Sequence, residues 1–254
     1  MAYDVVKITT ELQSRFVEAG ILYGPFEWKR LFPKLPASNI GTNGYYVATS
    51  YSPRVIAYNP KLVPAARVPK KWEDCLDPYW QGKFILDPRP HTFVGLYHAW
   101  GEQKILDFAR KIKENKPSWN RNVETSLIQL STGEFSMLAG GGYDAVKRVQ
   151  MDPHADVAIA WPREVPVRLN EVFGILKGAK NPNAALLLSA WLASEGQIGY
   201  DKVGRGSPFL EGSEMFKEMK KAGAKPIFAG WDEAEYNPKL TDKVVAIWGF
   251  PTGK

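Results

Sequence analysis

The chain has 254 residues, of which 44% are hydrophobic and 24% are charged, proportions that are ordinary for a globular protein. This length is enough to bury the core of one large domain or of two lobes. No apolar run approaches the length of a membrane-spanning helix, and the single Cys75 excludes an internal disulfide. The opening residues MAYDVVKITTELQSRF lack the basic start, apolar stretch and cleavage site of a signal peptide. We therefore expect either a cytoplasmic protein or one whose export signal has been removed.

The formal net charge of +6 raises the question of a nucleic-acid partner. Lysine and arginine are scattered along the sequence, and the one tight group is Lys217, Lys220 and Lys221, beside Glu214 and Glu218. That pattern is typical of a solvated helix face rather than of a track for phosphates, so we expect no nucleic-acid partner. A basic balance also favours the entry of an anionic ligand.

The N-terminal region predicts a strand, a helix and an irregular segment. Asp4-Val5-Val6 is a short β-rich run, and a helix is expected from about Thr9 or Thr10 to a stop at Gly20. Residues 23–43 are rich in proline, glycine and aromatic residues, which is typical of a structured loop.

An extended path follows this loop. Tyr45–Tyr51 and Arg54–Tyr58 are predicted as strands with a break at Ser52-Pro53, and Asn59-Pro60 ends the second strand.

The next stretch predicts a short amphipathic turn and a buried strand. Trp72–Leu76 forms the turn, which Asp77-Pro78 closes. A second turn at Gln81-Gly82 leads into the strand Lys83–Leu86, which ends at Asp87-Pro88.

The remainder of the chain alternates helices with short strands, which indicates an α/β architecture. Asn181 or Asn183 is the predicted N-cap of the last helix. The predicted elements are helices at Phe93–Trp100, Ile105–Ile112 and Val123–Leu130, a strand at Phe135–Ala139, a helix at Tyr143–Met151, strands at Asp156–Trp161 and Val172–Leu176, and a helix at Ala184–Leu192.

Two blocks of this sequence resemble a known family. They are SYSPRVIAYNPKLVPAARVPKKWEDCLDPYWQGKFILDPRP, from Ser50 to Pro90, and NEVFGILKGAKNPNAALLLSAWLASEGQ, from Asn170 to Gln197. In composition and order both are similar to segments of the bacterial solute-binding proteins of ABC importers, and specifically of their ferric-iron-binding group. The resemblance implies a two-lobed, type II periplasmic-binding-protein fold. It assigns residues 1–54 and 170–212 to lobe one, and residues 55–169 and 213–254 to lobe two.

The resemblance begins in the middle of the family's first lobe, since Ala2–Val6 is similar to an internal strand of the family. We therefore expect lobe one to be incomplete, with an exposed sheet edge and exposed apolar surface. Dimerisation through that edge, a partner that supplies the missing unit, and a trimmed chain are the three expectations.

The resemblance also implies a set of ligand contacts. Arg54 is similar to a family arginine that faces a bound anion, and a guanidinium suits a carboxylate or phosphate because it donates two parallel hydrogen bonds. Tyr51 and Ser52 are weaker neighbours of the same kind. The alternative for Arg54 is a surface arginine beside a proline.

Pro90-His91-Thr92-Phe93 follows a predicted strand and opens a helix. Family members often have a hydroxyl-bearing segment here whose free backbone N–H groups hold an anion, and Thr92 fits that role. His91 either adds a donor or is a simple loop histidine.

The segment GEFSMLAGGGYDAV stands where the iron-binding members carry two adjacent tyrosines as ferric ligands. Here Tyr143 is followed by Asp144, so the segment provides one phenolate and one carboxylate, both of them hard oxygen ligands. Gly140-Gly141-Gly142 is predicted either as a loop whose amides face an anion or as a tight strand-to-helix turn.

The sequence contains no nucleophile elbow, no phosphate-binding loop and no HExxH motif, so we do not expect an enzyme. A helix over this region would place His91 and His98 on one face, and Trp161, Asn170 and Glu171 are candidates to line a cleft.

The predicted function is that of the solute-binding component of an ABC importer, which captures a small anion, or ferric iron with an anion, in a cleft between its lobes. It needs no cofactor, works with a membrane permease, and acts in the periplasm or outside the cell, with a lipoprotein anchor as one form. A homodimer through the incomplete lobe is the expected self-association. The alternatives are a binder or sensor of an organic anion (a phosphonate or carboxylate) and an enzyme on the same fold.

Overall fold

The computed structural model describes residues 3–8, 13–228, 230–231 and 238–250, so the predicted helix start at Thr9 or Thr10 lies outside the described residues. Helices and strands alternate along the chain, which confirms the α/β class. The strands are β1 (Val5–Ile8), β2 (Tyr46–Tyr58), β3 (Phe84–Leu86), β4 (Ser118–Trp119), β5 (Met137–Gly142), β6 (Ala158–Ala160), β7 (Glu164–Ile175) and β8 (Lys225–Ile227).

No helix among the described residues is long and apolar enough to cross a membrane. The helices are α1 (Gln13–Glu18), α2 (Trp28–Leu31), α3 (His91–Val94), α4 (Tyr97–Glu114), α5 (Val123–Ser131), α6 (Tyr143–Val149), α7 (Pro182–Leu192), α8 (Gln197–Tyr200), α9 (Glu214–Lys221) and α10 (Pro238–Trp248).

The first of two compact units comprises Met1–Ser52, Leu169–Glu218 and Gly230–Asp232. Its strands lie in the order β1-β7-β2, and β1 pairs with β7 in antiparallel register. β1 therefore stands at the end of the strand order. Aromatic and small side chains fill the core of this unit between the sheet and α7, and its buried members are Trp28, Leu35, Val47, Ile175, Ala185, Ala190 and Ala193.

The second unit comprises Pro53–Arg168, Met219–Ala229 and Glu233–Lys254. Its strands lie in the order β2-β5-β3-β4, where β5 is antiparallel to β2 and parallel to β3. β6 also pairs with β2, and β8 pairs with β7. A large aromatic core stabilises this unit, in which the Phe93 ring lies 5.4 Å from Trp72 and 4.7 Å from Phe108.

The first three changes from one unit to the other come after Ser52, inside β2, after Arg168, inside β7, and after Glu218, inside α9. The resemblance placed these three changes after residues 54, 169 and 212. That assignment of lobes stays a prediction.

β2 is one continuous, almost fully buried strand of 13 residues, so the predicted break at Ser52-Pro53 was wrong. The reason lies in the pairing, because the ladder with β5 begins only at Arg54. Proline lacks an N–H to donate, and it is tolerated in a strand where no ladder hydrogen bond is needed from it.

β7 is also longer than predicted, since it begins at Glu164 rather than at Val172. Pro166, Arg168 and Asn170 interrupt the apolar pattern of this segment and hide the strand from a reading of periodicity. The structure keeps Pro166 at the end of the short parallel ladder with β8.

Candidate functional site

A β-bulge beside Arg54 organises the candidate site, which lies within the second unit. Arg54 pairs with Gly142 and Val55 with Gly141, whereas Ile56 pairs with Ala139, so Gly140 is the extra residue of β5. Gly140 has a φ of +92°, a conformation that L side chains rarely adopt. The three glycines therefore lie in a strand, so the predicted loop was wrong, and Gly142 is also the N-cap of α6, where the strand passes directly into the helix.

Thr92 packs directly against this bulge. Its buried hydroxyl lies 3.5 Å from the carbonyl oxygen of Gly140, to which it donates. A Cβ added at Gly140 would lie 2.7 Å from the same hydroxyl oxygen, which is too close for any real contact. Thr92 and Gly140 thus fix α3 against β5. The predicted anion contact of Thr92 stays a prediction.

Arg54 is partly buried, and its Nε atom is inaccessible to solvent. Within the described part of the chain, no acceptor lies in hydrogen-bonding distance of that Nε. Burial and the positive charge of Arg168 lower the pKa of Arg54 to about 10, and the carboxylates of Asp144 and Asp87 oppose the shift. A buried donor without an acceptor costs about 1–3 kcal/mol, so an anionic ligand that accepts from Arg54 would recover that energy.

Arg168 is the residue that sequence reasoning missed. It lies on β7, the strand whose N-terminal half was not predicted, and it is partly buried. After burial, the positive charge of Arg168 is the largest cause of the lowered pKa of both Arg54 and His91. One signal in the sequence could have found it. Arg168 comes two residues after a proline in the run VPVRLN, and Arg54 comes directly after a proline.

His91 opens α3 and faces the same cations. Burial, followed by the charges of Arg168 and Arg54, lowers the pKa of His91 to about 4, so the imidazole is neutral at pH 7. α3 ends at Val94 and His98 lies on α4, so the two histidines do not share one helix face as predicted.

Asp87 supplies negative charge near Arg54 and His91, and its carboxylate is bound by Arg89. The Arg89 side chain donates three hydrogen bonds to the Asp87 carboxylate, at 2.6 to 3.1 Å, and one to the carbonyl oxygen of Arg121. This fork closes the loop between β3 and α3 and fixes the backbone that leads to His91.

Tyr143 is almost completely buried at the start of α6. Its ring lies 5.0 Å from that of Trp161, and the Lys147 ammonium lies 5.7 Å from the ring centroid. The neighbouring Asp144 lies 3.4 Å from Arg148. The phenolic oxygen of Tyr143 is inaccessible to solvent, so a metal would reach it only after the packing around the ring had opened.

Metal-ligating side chains do not cluster in the described residues, where no group of three or more His, Cys, Asp and Glu could hold an ion. Tyr143 as a ferric ligand therefore stays a prediction that rests on the resemblance.

Tyr51 and Ser52 belong to the first unit. The Tyr51 ring is fully buried 5.2 Å from that of Phe209, and its hydroxyl lies 2.7 Å from Asn39 Oδ1 and 3.0 Å from the carbonyl oxygen of Ser38. These contacts give Tyr51 a place in the core. Its role as a ligand contact, and that of Ser52, stay predictions.

The two remaining candidates, Glu171 and Asn170, both lie on β7. Glu171 is buried in the first unit between Lys7 at 3.1 Å and Arg205 at 3.2 Å, and its carbonyl oxygen accepts from Thr49 Oγ1. The Nδ2 atom of Asn170 is buried with no acceptor among the described residues.

Two surface cavities lie away from the candidate site. One, of about 430 Å³, is beside Trp28 and Gly44, and the other, of about 560 Å³, is beside Arg67 and Trp80. Neither is lined by Arg54, His91 or Tyr143. Charged and apolar side chains line the second cavity together, and its Arg67 pairs with Asp77 at 3.0 Å.

Comparison with known proteins shows the relatives of this chain. The family described as bacterial extracellular solute-binding protein matches residues 3–237. A search of curated protein sequences finds no match. Among solved structures, the chain is similar to iron-bound HitA from Pseudomonas aeruginosa, with 19% identity, coverage of 98% of this chain and 82% of that chain, and a TM-score of 0.66.

Two further structures show the same likeness. Ferric iron-binding protein A of Mannheimia haemolytica, in an open conformation, is 18% identical over 98% of this chain and 84% of that chain, with a TM-score of 0.74. The Trichodesmium protein IdiA (FutA), in complex with iron and citrate ligands, is 19% identical over 99% of this chain and 84% of that chain, with a TM-score of 0.71. At these identities the comparisons confirm the predicted two-lobed, type II binding-protein fold. Each of these proteins is longer than the segment that this chain matches.

Proposed function

Because the chain belongs to the bacterial extracellular solute-binding protein family, we propose that it is the solute-binding component of an ABC importer and that it captures a small anion at Arg54. The observation that carries the proposal is the buried Arg54 Nε, for which the described residues supply no acceptor. A guanidinium in this state is a donor prepared for a carboxylate or phosphate-type group.

Electrostatics favours the same conclusion. Arg168 and Arg89 add positive charge around Arg54, and partial burial reduces the screening of these charges by water. An anion that binds here gains more energy than it would at an exposed arginine.

Ferric iron together with an anion is the second candidate, and a specific observation favours it. The similar Trichodesmium structure contains both iron and citrate, and the HitA structure contains iron. In this chain Tyr143 is the single tyrosine in the corresponding segment, and its oxygen is buried. A phosphonate or another organic carboxylate is the third form of the same proposal.

The family places this binding function outside the cytoplasmic membrane, and we propose the periplasm, with a membrane permease as the partner that accepts the solute. We propose no covalent chemistry and no resident cofactor. A homodimer through the first unit stays a prediction, which is supported by the exposed apolar face of α7. There Leu187, Leu188 and Trp191 are 63%, 46% and 52% exposed.

Thermal stabilisation by small anions tests the proposal. Phosphate, sulfate, citrate, bicarbonate and ferric citrate are titrated against the wild-type protein, with the melting temperature as the readout. We expect at least one anion to raise it, and Arg54→Ala to abolish that increase. Arg110→Gln is the matched control, because Arg110 is an exposed arginine of the same unit paired with Asp107 at 2.7 Å. An anion-induced shift that survives Arg54→Ala would place the site elsewhere, and the absence of any shift with every salt would overturn the capture function.

A further inference from the structure

We infer that Arg89 is a positioning residue for anion capture, because it holds the Asp87 carboxylate away from Arg54 and so keeps the Arg54 guanidinium available to a ligand. The inference rests on the proposed function, and it adds a residue that acts on the same site through another side chain. Arg89 does this without touching the anion. It decides whether Arg54 has a partner within the protein before the anion arrives.

Asp87 and Arg54 lie at the same end of the sheet, on either side of β5. Leu86 of β3 and Ile56 of β2 both pair with Ala139 of β5, in parallel and in antiparallel register respectively. From that level β3 continues to Asp87 in the same direction in which β2 leads back to Arg54. Burial lowers the pKa of Arg54 and the Asp87 carboxylate opposes that shift, so the two groups are close enough to attract each other. Asp87 is therefore a candidate counter-ion for Arg54.

Arg89 already occupies the Asp87 carboxylate. Its Nε donates to Oδ1 at 2.9 Å and to Oδ2 at 3.1 Å, and its Nη2 donates to Oδ2 at 2.6 Å. The backbone N–H of Arg89 adds a fourth contact, to Oδ1 at 2.9 Å. A carboxylate offers about four lone-pair sites to hydrogen-bond donors. The capacity of Asp87 to accept is therefore used within its own loop.

The fork between Arg89 and Asp87 is fixed to a neighbouring segment of the chain. Arg89 Nη2 also donates to the carbonyl oxygen of Arg121 at 2.9 Å, and the Asn120 N–H donates to the carbonyl oxygen of Leu86 at 3.1 Å. These bonds hold the residues that follow β4 against the end of β3. Asp87 would have to break the fork in order to turn towards Arg54.

The state of Arg54 agrees with this arrangement. Its Nε is inaccessible to solvent and has no acceptor within the described residues, although Asp87 lies near. If the carboxylate were released, the buried Nε would gain an acceptor, and an anion would have to displace that carboxylate before binding. A donor with no internal partner to lose gives more of its interaction energy to the ligand.

A double-mutant cycle between Arg54 and Asp87 tests the inference without a ligand. Melting temperatures are measured for Arg54→Gln, Asp87→Asn and the two combined, first with Arg89 present and then in Arg89→Gln. With Arg89 present we expect the two changes to be additive. In Arg89→Gln we expect a coupling of about 3 °C, because the released carboxylate then pairs with the buried guanidinium. A long-range effect of charge alone would give the same coupling in both backgrounds.

Two further backgrounds complete the cycle. Arg89→Lys keeps the charge and loses the fork, so it should show part of the coupling, and it provides the test if Arg89→Gln does not fold. Arg110→Gln is the matched control, because Arg110 is an exposed arginine of the same unit that pairs with Asp107 at 2.7 Å. In that background the changes at Arg54 and Asp87 should stay additive.

Calorimetric titration with inorganic phosphate and with citrate supplies the functional readout. Arg89→Gln should weaken the binding of an anion that the wild type binds by about tenfold, since a charge-assisted hydrogen bond must then be broken first. The double variant Arg89→Gln/Asp87→Asn has no competing carboxylate and the same net charge as the wild type. Its affinity should return to within about threefold of the wild type.

The outcomes separate the inference from the proposed function. Coupling that appears only when Arg89 is lost supports the inference. Additivity in both backgrounds, or equal coupling in both, overturns it and leaves the anion site at Arg54 intact. A double variant that binds as weakly as Arg89→Gln also overturns it, because the fork would then act on the loop and not through Asp87. Coupling confined to Arg89→Gln together with no anion binding by the wild type counts against the proposed capture alone.

Discussion

Arg54 and Gly142 face each other across the antiparallel strands β2 and β5, immediately before the register shift that leaves Gly140 as a bulge. The bulge places Arg54 beside a stretch of glycine backbone against which the Thr92, Leu138 and Val146 side chains pack. It also links α3 to the sheet, because Thr92 donates to the carbonyl oxygen of Gly140.

Gly140→Ala is expected to destabilise the protein by about 2–4 kcal/mol. An alanine at φ +92° is strained, and its Cβ would lie 2.7 Å from Thr92 Oγ1. Chemical unfolding followed by tryptophan fluorescence measures the change. Gly82→Ala is the matched control, because Gly82 also has a positive φ but nothing within 4 Å of the added Cβ. Thr92→Ala should recover part of the loss in Gly140→Ala, and equal losses at Gly140 and Gly82 would contradict the packing argument.

Much of the fold could be predicted because local signals and tertiary packing agree. The strand predicted at Lys83–Leu86 is β3, and the helix predicted at Val123–Leu130 is α5, whose N-cap Asn122 accepts from the Thr125 N–H at 3.0 Å. The predicted helix Ile105–Ile112 lies within α4, whereas the predicted helix Phe93–Trp100 covers the end of α3 and the start of α4, which has a non-helical residue at Gly101. The apolar pattern does not reveal that Gly101 is non-helical, so it does not predict where the helix is interrupted.

The parts that could not be predicted depend on pairing between distant residues. The glycines of β5 are poor strand formers, and they adopt a strand because β2 and β3 lie on either side of them. Arg168 was missed for a similar reason, since its strand contains Pro166 and several polar residues. Arg54 could be selected from sequence only through its resemblance to a family arginine. Its buried Nε and its cationic neighbours are properties of the folded unit.

Trp72→Phe is expected to cost about 1–3 kcal/mol. The Trp72 side chain is fully buried, and its Nε1 donates to the carbonyl oxygen of Glu164 at 2.7 Å. Phenylalanine keeps most of the apolar contact with Phe93 and leaves that carbonyl unsatisfied. The free energy of unfolding in urea checks the value. Trp191→Phe provides the comparison, because Trp191 is 52% exposed and should change stability by less than about 0.5 kcal/mol.

Glu171→Gln should destabilise the first unit by about 1–3 kcal/mol. The Glu171 carboxylate is buried and accepts from Lys7 and Arg205, whose side chains are 60% and 33% exposed, and the substitution removes the negative charge that strengthens both hydrogen bonds. Glu102→Gln is the exposed counterpart, since the pair of Glu102 with Lys243 at 2.5 Å is largely solvated and is expected to contribute about 0.5 kcal/mol or less. If the two variants unfold at the same denaturant concentration, the buried Glu171 carboxylate contributes no more than the exposed Glu102.

His91 should make the protein less stable as the pH falls from about 6.5 to about 4. The imidazole has a pKa of about 4 in the folded protein, where burial and the charges of Arg168, Arg54 and Arg89 oppose its protonation, while Asp87 favours it. The unfolded chain, with an ordinary histidine pKa near 6.5, binds a proton in this range and the folded chain does not. Stability therefore rises with pH across the window, by about 1–3 kcal/mol in total.

Melting temperatures of the wild type and His91→Gln, measured at intervals between pH 4 and pH 7.5, test this sign. The variant should lose less stability on acidification, and the difference between the two proteins should be greatest near pH 4. Other groups also titrate. Glu73 has a lowered pKa, so the stability that it contributes to the protein is lost as the pH falls below the ordinary pKa of a glutamate. Asp201 has a pKa raised by burial, so its effect on stability has the opposite sign. Both are present in each protein, so they cancel in the difference. His98→Gln controls for the loss of an exposed histidine, and parallel pH profiles for all three proteins would show that His91 does not carry the effect.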